Sequence, residues 1–202
     1  MIYQFKVTLK DVGMPVWRRL QVDNETTFED FHYILMAAFD WLGYHLHEFD
    51  IRKSDGKRLN GTRIGTAENT PMTESDPLLL RLRQTLAHPE DYDLPRFMLE
   101  ENEKLSDWFK QEKDRALYTY DFRDDWEHEI ILEKILVPDP DAKYPLCTKA
   151  KNDAPDDDSR RELITGQLDL TNPNGKEIVQ VINDTYRFDG WKDEFMNRDD
   201  FI

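Results

Sequence analysis

The sequence predicts an α+β domain, and three observations predict it. The chain opens on Tyr3-Gln4-Phe5-Lys6-Val7-Thr8-Leu9, where apolar residues alternate with the period of two that puts them on one face of a strand. A second run from Val16 to Val22 follows a turn, so the two can pair as a hairpin. Behind them Phe28, Phe31, Ile34, Leu35, Ala38, Phe39 and Leu42 recur at three- and four-residue steps, the spacing of a helix with one buried face. A length of 202 residues suits a single domain over 1–202. Although charged residues make up 34% of the chain, 12% aromatics, with five Trp and eleven Phe, supply a packed core.

Each element follows from its local pattern. Val12-Gly13-Met14-Pro15 turns the chain, and Val16, Arg18, Leu20 and Val22 then share one strand face. Arg18 is the awkward member of that face, and a place at an edge or an acidic partner would accommodate it. Thr26-Thr27-Phe28-Glu29 is a capping-box pattern with Thr26 as the cap, and Gly43 can end the helix in a left-handed turn. Leu46 to Arg52 reads as a third strand, Asp55-Gly56 as a turn, and Arg58 to Ile64 as a short strand. Residues 65–77 have loop composition, and Asp76-Pro77 can start a helix bearing Leu78, Leu79, Leu82 and Leu86. Lys104 to Phe109 reads as a short helix with Leu105, Trp108 and Phe109 inward, before strands Ala116 to Phe122 and His128 to Val137. Residues 138–160, rich in proline and holding Asp156-Asp157-Asp158, read as a loop. Residues 161–202 extend the same domain, with an amphipathic helix near Glu177 to Tyr186, its Ile178, Val181 and Ile182 inward, and a short Trp191/Phe195 piece.

The strand–strand–helix–strand start lets a hairpin lay its apolar face on one main helix while later strands extend an antiparallel or mixed sheet. This order resembles the β-grasp of ubiquitin-like domains.

Charge is uneven. Up to Ala67 nine basic residues balance nine acidic ones, whereas 18 basic face 33 acidic beyond it, so the net charge of −15 lies in the second part. Such a field disfavours nucleic-acid phosphates and favours cationic partners or metal ions. One cysteine, Cys147, excludes an internal disulfide framework and reads as an ordinary thiol, which fits a reducing cytoplasm. The longest strictly apolar run, Ile34 to Phe39, is far short of the ~20 residues of a membrane helix, and no cleavable signal is expected. Nucleotide loops of the Walker and Rossmann types, a His-Glu-x-x-His helix and a Gly-x-Ser-x-Gly elbow are missing, so no cofactor is assigned.

Four stretches carry a family resemblance: Pro15-Val16-Trp17-Arg18-Arg19; Trp41 with His45-Leu46-His47-Glu48-Phe49; Tyr120-Asp121-Phe122-Arg123-Asp124-Asp125-Trp126-Glu127-His128; and Tyr144-Pro145-Leu146-Cys147. Over residues 1–150 the chain resembles the Ri-plasmid (pRiA-type) third-open-reading-frame-like family, which includes insertion-element passenger proteins with a resolvase-type label. The resemblance implies no catalytic residue, because that label is tied to none. Two departures stand out. Family members commonly have Gly where this chain has Arg123, and a second cysteine with glycines where it has Lys151 to Arg160.

Candidate binding residues are His45, His47, Asp121, Asp124, Asp125, Trp126 and His128. His45 and His47, two apart on a strand, would share a face and could ligate a metal if His128 or a carboxylate of Asp121, Asp124 or Asp125 converged on them. Clustered carboxylates beside a histidine also suit general acid–base chemistry. An Asp-rich turn that bonds its own backbone above a packed Trp126 accounts for the same letters. Arg18, Arg52, Lys57 and Arg58 make a candidate basic patch. The favoured expectation is a non-enzymatic binding or adaptor module with a protein partner. A metal-assisted hydrolase and a nucleic-acid-associated protein of mobile elements are the alternatives.

Overall fold

The computed structural model describes residues 1–55, 58–67 and 97–196. Ile2–Leu9 (β1) and Val16–Asp23 (β2) pair antiparallel with Leu9 opposite Val16, so Phe5, Val7, Leu20 and Val22 point together into the core. Helix α1 (Phe28–Phe39) covers that face, with Phe5 packed 5.1 Å from Phe31 and Phe28 packed 5.0 Å from Phe49 between ring centroids. The chain continues through β3 (His47–Arg52), β4 (Arg58–Gly65), β5 (Phe97–Leu99), α2 (Leu105–Trp108), β6 (Arg115–Tyr120) and β7 (Trp126–Leu136). β8 (Leu146–Lys151), α3 (Arg160–Ile164), α4 (Gly175–Arg187) and α5 (Asp193–Met196) complete it.

The fold is α+β, with a mixed eight-stranded sheet in the order β5-β4-β3-β6-β7-β1-β2-β8. Every neighbouring pair is antiparallel except β4 with β5. α1 does not cover the sheet alone. α4 packs beside it on the β8 end, its Ile182 and Tyr186 buried and the Tyr186 hydroxyl donating to the Ile34 carbonyl at 2.8 Å. No helix among the described residues is long and apolar enough to cross a membrane.

Several expectations shift. The helix cap is Thr27, whose Oγ1 accepts from Asp30 N at 3.1 Å; the Thr26 carbonyl is instead taken by Leu105 N of α2. α1 ends at Asp40 in the left-handed region (φ 58°), before Gly43, because the next residue, Trp41, turns into the core. β3 begins at His47 and β6 stops at Tyr120. Trp108 is only partly buried, and Val181, read as inward, is 61% exposed because Ile178, Ile182 and Tyr186 take the core-facing stripe of α4. Residues 138–160, read as a loop, contain β8, which buries only Cys147 and Ala150. The expected helix at Leu78–Leu86 lies outside the described residues.

Arg18 occupies neither an edge nor an ion pair. It is 2% exposed and donates from Nε to the Ala38 carbonyl (2.9 Å) and from Nη1 to the Asn152 carbonyl (2.9 Å), with its guanidinium 5.1 Å from the Phe39 ring centroid. Carbonyls at the end of α1 and just after β8 carry partial negative charge, so they take the place of an acid. Burial lowers its pKa to about 10, which leaves it charged at neutral pH.

Candidate functional site

The connection from β6 to β7 is a turn that bonds itself. Asp121 and Asp125 both adopt φ 56°, a left-handed conformation that Asp tolerates better than most residues. The Asp125 N–H donates to the Asp121 carbonyl at 2.6 Å, and the Arg123 N–H donates to Asp121 Oδ1 at 2.9 Å. Below the turn lies an aromatic floor, with Trp41 stacked 5.3 Å from Tyr120 and 5.5 Å from the fully buried Trp126.

The acidic segment after β8 is strapped across this floor. The Trp41 indole donates to the Pro155 carbonyl (2.7 Å) and the Trp126 indole to the Asp157 carbonyl (2.6 Å). Asp157 itself is 5% exposed, its Oδ2 accepting from Leu42 N (3.0 Å) and the Tyr120 hydroxyl (3.2 Å). Asp158 emerges beside it, and its Oδ2 accepts from the Tyr44 hydroxyl at 2.6 Å. That bond, with burial, pushes the Tyr44 pKa up, so the phenol stays protonated as a donor at neutral pH.

His45 stands where these segments meet. Its Nε2 lies 3.7 Å from Asp121 Oδ2 and 3.5 Å from Asp158 Oδ1, and this nitrogen is buried without a hydrogen-bond partner. The three residues are the described His, Cys, Asp and Glu groups whose donor atoms gather within 4.8 Å of one another. An imidazole facing two carboxylates can exchange a proton with them or share a cation with them.

The other candidates separate from this cluster. Since β3 starts at His47, His45 precedes the strand and the two histidines do not share its face. His47 is 4% exposed, bonds Glu100 through Nε2 at 2.8 Å and stacks on His32 with centroids 3.6 Å apart. His128 is wholly buried 4.6 Å from Phe39 and 4.9 Å from Trp41, and burial lowers its pKa to about 3, so it is a neutral core residue. Asp124 and Asp125 sit in the turn outside the cluster, and Trp126 is its floor. Of the basic candidates, Arg18 is interior, Arg52 pairs with Asp50 at 3.2 Å, and Lys57 and the Arg58 side chain lie outside the described residues. Sequence reasoning missed Tyr44, Asp157 and Asp158; the available signal was an acidic run following a tryptophan-rich floor that needed acceptors.

The family described as plasmid pRiA4b ORF-3-like protein matches residues 1–198. The chain belongs to that family. The uncharacterized protein y4hQ of Sinorhizobium fredii is 26% identical over 157 residues, 78% of this chain and 66% of that protein, just under two thirds of its length. The crystal structure of MM3350, a protein of unknown function from Methanosarcina mazei Go1, is 28% identical with a TM-score of 0.59, covering 96% of this chain and 87% of that one. Neither name carries an activity that could pass to this pRiA4b ORF-3-like chain.

Proposed function

We propose that the chain is a non-enzymatic binding module of the cytoplasm that engages a protein partner through the face formed by residues 41–46, 121–125 and 156–158. The observation that carries this reading is an apolar rim on a rigid base: Leu42, Leu46 and Phe122 are 43%, 41% and 47% exposed around His45 and Asp121. The Asp121 N–H donates to the Leu46 carbonyl at 2.9 Å, which locks the two loops side by side. Large apolar side chains held out by a hydrogen-bonded base, with charges between them, suit a protein interface. We also read the β1–β2–α1–β3 start as β-grasp-like, with the β6–β7 hairpin placed between β3 and β1.

Site-specific photocrosslinking in cells tests the interface. A crosslinker at Phe122 should give a discrete adduct that is absent from position Val137, which is 78% exposed elsewhere, and that disappears with Leu46→Asp. The same adducts from both positions would defeat the reading.

A second reading, binding of single-stranded nucleic acid, is supported by a different surface. Around the Trp17 ring stand Lys6 (5.4 Å), Arg19 (5.6 Å) and Lys149 (6.0 Å), and Lys151 is the cross-strand neighbour of Trp17. A cavity of about 620 Å³ beside it is lined by Trp17, Lys149, Lys151, Asn172 and Lys176. An aromatic face with surrounding lysines is the chemistry that stacks a base and neutralises phosphates. Anisotropy of a labelled oligothymidine should report binding that weakens with salt and with Lys149→Ala/Lys151→Ala; none at low salt removes this reading.

A further inference from the structure

We infer that His45, Asp121 and Asp158 form a site for one borderline divalent transition-metal ion of the zinc class. The distances carry the argument. At 3.5 and 3.7 Å, His45 Nε2 is too far from Asp158 Oδ1 and Asp121 Oδ2 for hydrogen bonds. Donor atoms that each stand about 2.0–2.2 Å from a shared tetrahedral ion are separated by roughly 3.3–3.6 Å; the two His45–carboxylate spacings approach that value, and the two carboxylate oxygens lie within 4.8 Å of each other. The nitrogen is therefore placed as a co-ligand of the carboxylates rather than as their hydrogen-bond donor.

Each carboxylate is oriented accordingly. In Asp121 the other oxygen, Oδ1, accepts from Arg123 N at 2.9 Å; in Asp158 the other oxygen, Oδ2, accepts from the Tyr44 hydroxyl at 2.6 Å. In both residues the oxygen left over is the one that faces His45. Outer hydrogen bonds of this kind fix ligand orientation and raise affinity at metal sites. The imidazole is held as well, 4.2 Å from the Tyr44 ring and 5.5 Å from Tyr120 between centroids.

Electrostatics favours a cation. Among the described residues no Lys or Arg pairs with Asp121 or Asp158, so two carboxylates face one imidazole in a chain of net charge −15. One nitrogen and two oxygens match zinc and its neighbours better than calcium or magnesium, which take all-oxygen sets. Three protein donors leave a coordination position for water or a partner's side chain. The inference uses the same face as the proposed interface but does not depend on a partner existing.

The test is calorimetric titration of Zn²⁺ into the chelator-stripped full chain near neutral pH, with cobalt(II) absorption as the probe of coordination. One equivalent should bind, raise the melting temperature and resist a hundredfold excess of Mg²⁺ or Ca²⁺. Asp158→Asn, at a side chain 67% exposed and so harmless to folding, and His45→Gln should each weaken binding about tenfold or more. Cys147→Ser, at a buried thiol outside the site, should bind as the wild type does. No stoichiometric zinc, or wild-type affinity in either Asp158→Asn or His45→Gln, would overturn the inference. Zinc binding without the Phe122 adduct would keep the metal site and remove the interface, and the adduct without zinc would do the reverse.

Discussion

Trp126, at the first position of β7, donates its indole N–H to the backbone carbonyl of Asp157 across 31 residues of sequence at 2.6 Å. This bond joins the sheet to the acidic strap and sets where Asp158 emerges. Trp126→Phe keeps an aromatic ring in the floor but leaves a buried carbonyl unpaired. The expected cost is about 1–3 kcal/mol in chemical denaturation. Hydrogen exchange should localise it, with faster exchange of amides in 153–158 and no change in β1 or β2; uniform acceleration would mean that the strap is not a separate unit.

Arg18 ties the end of α1 to the end of β8 through the Ala38 and Asn152 carbonyls. Arg18→Ala removes the donors while the acceptors stay buried, and should cost about 1–3 kcal/mol for each carbonyl left unpaired. Arg18→Lys should recover little, because a single ammonium cannot serve carbonyls that lie in different directions around a planar guanidinium. Urea unfolding of the two variants measures this, and a Lys variant of wild-type stability would contradict it.

Two buried imidazoles set an acid limit. Burial lowers the pKa of His128 to about 3, and burial together with the neighbouring His47 holds His32 well below its ordinary value. Unfolded histidines titrate near ~6.5, so below that pH the unfolded chain binds more protons and stability falls as pH falls. For His128 alone the loss is on the order of 3 kcal/mol by about pH 4.5. His128→Leu should flatten the decline of the unfolding midpoint over that range. An unchanged slope would place the loss in other groups.

How much of this was legible depends on what each segment buries. β1, β2 and α1 could be read because their apolar residues recur at periods of two and 3.6; burial keeps the period of two along β2, while β1 is buried without a break over Ile2–Phe5 and α1 over Ile34–Phe39, where neighbours cover them on both sides. β8 could not, since an edge strand that buries only Cys147 and Ala150 leaves no alternation to detect in Leu-Cys-Thr-Lys-Ala-Lys. The strap was hidden for a related reason. Asp156-Asp157-Asp158 has the composition of a solvated loop, yet Asp157 is buried because two tryptophans, the Leu42 backbone N–H and a tyrosine bring donors to that segment. At the candidate site, His45 and Asp121 come together, whereas the pairing of His45 with His47 failed because the strand begins at His47, one residue after the expected Leu46, and leaves His45 outside it. Strand parity is unforgiving in this way, since face assignments hold only inside the ladder.

The end of the sheet supplies the last prediction. β8 is an edge strand, and unpaired edge backbone invites pairing with another chain. Here the side chain of Asn183 on α4 acts as a substitute strand: its Oδ1 accepts from Cys147 N at 2.8 Å and its Nδ2 donates to the Cys147 carbonyl at 2.8 Å. α4 can lie close enough because its first residue is Gly175, where a Cβ would come within 2.6 Å of the Ala150 carbonyl oxygen. Asn183→Ala uncovers both backbone groups, and Gly175→Val pushes the helix away from them. Both variants should lose about 1–2 kcal/mol and gain concentration-dependent self-association in sedimentation velocity. Since the two act on the same edge, the double variant should be less than additive. A monomeric Asn183→Ala of wild-type stability would show that the edge is protected by the bulk of α4 rather than by this amide.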